Sequence, residues 1–132
     1  MVAYRIKYYL PVLVYILVIL GMSSLNQNVV ASITWGIEDF ILHTVEYNIL
    51  GVLLIWAFFR DKAPIELKSS YRLAVGVGLL IGMADEIYQS FVPTRFSTIE
   101  DVVADGFGVI LSIITFNLLM KINWLERFRT HA

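Results

Sequence analysis

His43, Glu46 and Tyr47 follow one another at spacings of three and four residues, which on a helix sets an imidazole, a carboxylate and a phenol along one face. Asp85 and Gln89 share a face in the same way, with Glu86 about 100° around the helix. Asp101 and Asp105 are again four apart, and Arg95 stands between the two acidic pairs. Two kinds of chemistry suit these side chains. Carboxylates crowded near a histidine share protons, and groups driven to separate pKa values are the usual material of acid and base catalysis. Alternatively, one histidine with several carboxylates is a ligand set for Zn, Mn or Mg, the choice depending on how many waters the ion keeps. The residue types leave both open. Arg95 adds a planar, permanently charged fork suited to a carboxylate or a phosphate.

The segments that must position these residues are strongly apolar. Of 132 residues, 58% are hydrophobic and only 16% charged, and mean hydropathy is +0.74, which excludes an ordinary soluble domain. The net charge of -1 offers no basic surface, so nucleic acid is not an expected partner. With no cysteine, disulfides, thiolate catalysis and cysteine-bound metals are excluded. Four apolar stretches, 8–22, 39–59, 71–91 and 102–120, stand against a requirement of roughly 20 residues for a membrane-spanning helix. The first is short. Arg5 and Lys7 before it and Gly21-Met22-Ser23-Ser24 after it resemble a signal peptide, but the amphipathic run from Ala3 to Leu10 and the lack of an A-x-A site favour a retained helix.

Orientation follows from the positive charges, because short loops rich in Lys and Arg stay cytoplasmic. Arg5 and Lys7 precede helix 1, Arg60, Lys62, Lys68 and Arg72 separate helices 2 and 3, and Lys121, Arg127 and Arg129 follow helix 4. Ser23 to Glu38 carries neither Lys nor Arg, and Arg95 alone lies in an expected external turn, marked by Pro93, while Pro64 marks the inner loop. The expected fold is therefore all-α: a polytopic membrane protein, a four-transmembrane-helix bundle forming a single domain over residues 1–132, with N and C termini cytoplasmic. Gly78-x-x-x-Gly82 and Gly108-x-x-x-Ser112 are expected at contacts between its helices.

This topology brings His43, Glu46, Asp85, Glu86, Gln89, Arg95, Asp101 and Asp105 to one external depth, although three different spans supply them. Polar groups there are costly, at least roughly 2.5 kcal/mol for an ionised side chain at mid-bilayer. Each also has a plainer role. His43 taken alone would bond a helix carbonyl. Asp101 would cap helix 4. Arg95 is expected to pair with the acids around it. Tyr47, Tyr88 and Trp35 are assigned to an outer interfacial belt, and Trp56 and Trp124 to the inner one.

Asp85-Glu86-Ile87-Tyr88-Gln89, then Pro93-Thr94-Arg95, Ser97, Asp101 and Gly108, resembles the D-E-x-x-Q, P-x-R, D and G signature of the VanZ-like membrane family, and His43-x-x-Glu46-Tyr47 resembles its earlier H-x-x-E-Y element. The resemblance covers helices 2 to 4 and implies four spans and an association with glycopeptide resistance of the teicoplanin type, without a settled reaction. The chain departs from it at Phe40, where lysine is common, at Thr94, where glycine is often found, and at Asp105, where asparagine is often found. The expectation is a multi-pass protein of the bacterial cytoplasmic (inner) membrane. Its polar site would bind or act on a membrane lipid, a lipid-linked cell-wall precursor or a glycopeptide antibiotic. The alternative is a non-enzymatic protein whose cluster stabilises the bundle. As an enzyme it would be a hydrolase or transferase with Glu86 or His43 as general base and Arg95 as anion clamp.

Overall fold

Long apolar runs become helices in lipid because only a ladder within the segment satisfies every backbone N–H and C=O. In the computed structural model the chain forms α1 (Val2–Ser23), α2 (Gln27–Ile33), α3 (Asp39–Arg60), α4 (Leu67–Gln89) and α5 (Ile99–Lys121). The structure describes residues 2–34, 37–60 and 66–122, with side chains from residue 6 onward. The expectations resting on Arg5, Trp35, Lys62, Pro64, Trp124, Arg127 and Arg129 fall outside it. There is no strand among the described residues.

Three of the long helices enclose their apolar stretches, whereas α4 stops at Gln89, two residues short of the stretch 71–91, with differences set by local chemistry. In α5 the Thr98 hydroxyl accepts from the Asp101 N–H while the Asp101 carboxylate accepts from the Thr98 N–H, a capping box that starts the helix before the apolar run does. Asn26 caps α2 through Asn28 N–H, a short helix that apolarity alone does not announce.

Packing depends on small residues where helices meet. α3 packs most extensively against α5. A Cβ at Gly108 would collide with the Thr44 carbonyl oxygen and lie 3.0 Å from the Asn48 nitrogen. Gly51 faces Ser112, and Gly78 and Gly82 of α4 face Val109 and Asp105 of α5. Both small-residue motifs thus serve contacts within the bundle. At the end formed by Arg60, Leu67 and Lys121, the Phe59 and Tyr71 rings meet Phe116 edge-on at 6.5 and 6.4 Å, and Tyr8 meets Trp56 at 5.1 Å. That end is aromatic; the other is polar.

Among the described residues, three helices are long and apolar enough to cross a membrane: Ile6–Ser23 within α1, α3 and α5. α4 has 23 residues, which suffices for length, but carries Lys68, Arg72, Asp85 and Glu86. The burial pattern is inverted relative to a soluble protein. Leu17, Leu80 and Ile114 are exposed on the outside while His43, Asp85, Glu86, Gln89 and Asp105 lie buried between the helices.

Candidate functional site

The capping box fixes the first turn of α5, and one turn on Asp105 points between α3 and α4, 1% exposed. Gly82 opposite makes the space, since a Cβ there would lie 2.9 Å from Asp105 Oδ2. From the beginning of α3, His43 Nδ1 reaches Asp105 Oδ1 at 2.8 Å. The same nitrogen lies 3.8 Å from Glu86 Oε1, and the Ser97 hydroxyl donates to Glu86 Oε2 at 2.7 Å. Ligating atoms of His43, Glu86 and Asp105 all lie within 4.8 Å of one another. Glu86 Oε1, Asp105 Oδ2 and the Tyr47 hydroxyl are buried without a hydrogen-bond partner.

A second group adjoins it through the chain neighbours Asp85 and Glu86. The Ser23 hydroxyl donates to Asp85 Oδ2 at 2.8 Å, and Gln89 Nε2 donates to the same oxygen at 3.0 Å. Arg95 Nη2 donates to Gln89 Oε1 at 3.0 Å and Arg95 Nη1 to Gln27 Oε1 at 2.8 Å, and Gln27 Nε2 passes on to Asp39 Oδ2 at 3.2 Å. Arg95 therefore reaches the acids through two carboxamides. Among the described residues the direct ion pair expected for it is not formed, because Gln27 and Gln89 stand between the guanidinium and the carboxylates.

A model of the VanZ/LLP1 family matches residues 8–120. The chain belongs to that family. No curated protein and no solved structure matches it. The family region contains both polar groups and the turn that carries Arg95. In this VanZ/LLP1 chain Thr94 adopts φ 72°, the only non-glycine residue with positive φ among those described. The backbone keeps the conformation a glycine would suit at a position where the chain carries a β-branched residue.

The remaining expected residues divide by helical rotation. Asp101, 5% exposed, is committed to the α5 cap. Glu46 lies on the wall of a cleft of about 200 Å³ between α1, α2 and α3, outside the His43–Glu86–Asp105 group. Asp39, His43 and Arg95 line that cleft with the apolar Val30, Leu42, Val45 and Ile49. On the opposite side, Glu86, Ser90 and Ser97 line an open groove of about 360 Å³ with Met83, Ile87 and Val102. Tyr47 corrects the belt assignment: it is fully buried, because it shares the inward face of α3 with His43. Tyr88 is exposed and meets Ser24 Oγ at 2.8 Å. Ser23 and Gln27 are contributors that sequence reasoning missed. Their signal is their depth, at the same end as Asp85 and in the segment without Lys or Arg.

Proposed function

We propose that this VanZ/LLP1 protein is a four-span protein of the bacterial cytoplasmic membrane, with both termini inside, that captures or acts on an amphiphilic envelope ligand at the external face. The ligand is a lipid, a lipid-linked cell-wall precursor or a glycopeptide of the teicoplanin type. One observation carries this reading: the cleft between α1, α2 and α3 joins apolar walls from Val30, Leu42, Val45 and Ile49 to Asp39, His43, Glu46 and Arg95. A binding site for an amphiphile needs that division, with apolar area for affinity and few polar groups for orientation. Arg95 Nε has no partner among the described residues, which leaves one donor of the fork for an anionic group. Chemistry at the site would use His43 or Glu86 as general base.

The second reading, a non-enzymatic bundle stabilised by its polar groups, draws on the second group, where Ser23, Gln89 and Gln27 satisfy most of what they touch. Glu46 separates the two, since its side chain lines the cleft and takes no part in the hydrogen bonds of the second group. The test is Glu46→Gln and Arg95→Gln in full-length protein reconstituted with a lipid-linked cell-wall precursor. Under the ligand reading Glu46→Gln weakens binding about tenfold at unchanged thermal stability. Binding and teicoplanin susceptibility both indifferent to Glu46→Gln, with Arg95→Gln losing stability, would establish the structural reading instead.

A further inference from the structure

We propose that His43, Glu86 and Asp105 form a site for a first-row divalent cation, Zn or Mn, held by three protein ligands. The three residues come from α3, α4 and α5, and a ligating atom of each lies within 4.8 Å of the other two. The distances leave room for an ion in place of the proton that His43 Nδ1 and Asp105 Oδ1 share at 2.8 Å. At 3.8 Å, His43 Nδ1 and Glu86 Oε1 are too far apart for a hydrogen bond. Two ligands about 2.1 Å from one ion stand about 3.0 to 3.4 Å apart in octahedral or tetrahedral geometry. The observed 2.8 Å to Asp105 Oδ1 and 3.8 Å to Glu86 Oε1 bracket that range.

The second observation is independent of the clustering. Glu86 and Asp105 are 4% and 1% exposed, and each keeps one carboxylate oxygen, Oε1 and Oδ2, with no hydrogen-bond partner. Glu86 Oε1 is the oxygen that faces His43 Nδ1. A buried unpartnered carboxylate oxygen is costly, and a divalent ion neutralises both anions at once. Ser97 holds the other Glu86 oxygen, the outer-sphere contact that orients a ligating carboxylate. One imidazole with two carboxylates suits Zn or Mn better than Ca, which takes six or more oxygens. Asp105 supplies the second charge, at the position where asparagine would offer a neutral oxygen. Glu86 opens on the α4–α5 groove and His43 on the α1–α3 cleft, which gives an ion a way in and its free positions an outlook toward a ligand.

The assignment deepens the site reading above, but its test reads the ion alone, so either can fail without the other. Full-length protein in detergent micelles is stripped with chelator and titrated with MnCl₂, with bound ion followed by electron paramagnetic resonance and displaced by ZnCl₂. The expected result is one equivalent of Mn displaced by Zn, with electron spin-echo modulation from a single imidazole nitrogen. Glu86→Gln and Asp105→Asn are each expected to weaken the ion by about tenfold or more, while Asp85→Asn, outside the ligand set, leaves it within about twofold. The nitrogen signature is read on the wild-type protein, so it stands even where a variant does not fold. Absence of a stoichiometric ion in folded wild-type protein, an ion with no nitrogen coupling, or affinity indifferent to both carboxylate substitutions overturns the site.

Discussion

Thr94 and Ser97 sit three residues apart in the turn between α4 and α5, and each carries a distinct energetic consequence. Thr94 at φ 72° holds a β-branched side chain in the left-handed region, a conformation that costs an L-residue about 1 to 2 kcal/mol. Thr94→Gly removes that strain and gives back part of it through the greater freedom of the unfolded chain. The net expectation is a gain of about 0.5 to 1 kcal/mol, read as a higher midpoint of thermal unfolding; a lower midpoint would show that the turn is not strained. Ser97 acts through its partner. Among the described residues it is the donor to Glu86 Oε2, and Oε1 has none. Ser97→Ala leaves a buried carboxylate with no donor at either oxygen and is expected to cost about 1 to 3 kcal/mol in chelator-treated protein. A double-mutant cycle with Glu86→Ala measures the coupling. Additive losses would mean that Ser97 acts through something other than Glu86.

Between elements, Gly108 sets α5 directly on the backbone of α3 at Thr44 and Asn48. A methyl group there must separate the two helices, since the opposing atoms are backbone and cannot rotate aside. Gly108→Ala is therefore expected to destabilise by about 1 to 3 kcal/mol and to weaken every property that needs His43 beside Asp105. Gly76→Ala, which meets nothing within 4 Å, is expected to be neutral or to stabilise by up to about 1 kcal/mol. Equal effects from the two would remove close packing as the explanation. The elements themselves were largely legible in the sequence, since apolar length and the spacing of three and four residues specify helices and their faces. What spacing leaves undetermined is absolute rotation. His43, Glu46 and Tyr47 share a broad face, yet only packing decides that Tyr47 goes inward, filling space beside Gly82, while Glu46 turns to the cleft. Arg95 escaped in the same way. Its charge suggested carboxylate partners, whereas α2, seven residues long and signalled mainly by the Asn26 cap, delivers Gln27 to it.

At the scale of the molecule, the polar groups lie together between α3, α4 and α5, and among the described residues α4 is the long helix whose composition does not declare a crossing. Its burial argues for crossing. Leu73, Leu80 and Ile87, seven residues apart, are exposed along one stripe, as a lipid-facing surface requires, while Asp85, Glu86 and Gln89 are turned into the bundle. A helix left in water would gain nothing from that arrangement. The absence of native cysteine allows a direct test by single-cysteine labelling with a membrane-impermeant maleimide. Asn28, Glu66, Glu100 and Ile122 are exposed near the ends of the helices, and replacing them leaves every Lys and Arg that sets orientation untouched. Asn28→Cys and Glu100→Cys are expected to label in intact spheroplasts, and Glu66→Cys and Ile122→Cys only after permeabilisation. Labelling of Glu66→Cys together with Glu100→Cys would place both ends of α4 on one side and reduce the spans to three. A complete reversal of the pattern would keep four spans but turn the cleft and the His43–Glu86–Asp105 group toward the cytoplasm, where an envelope ligand could not reach them.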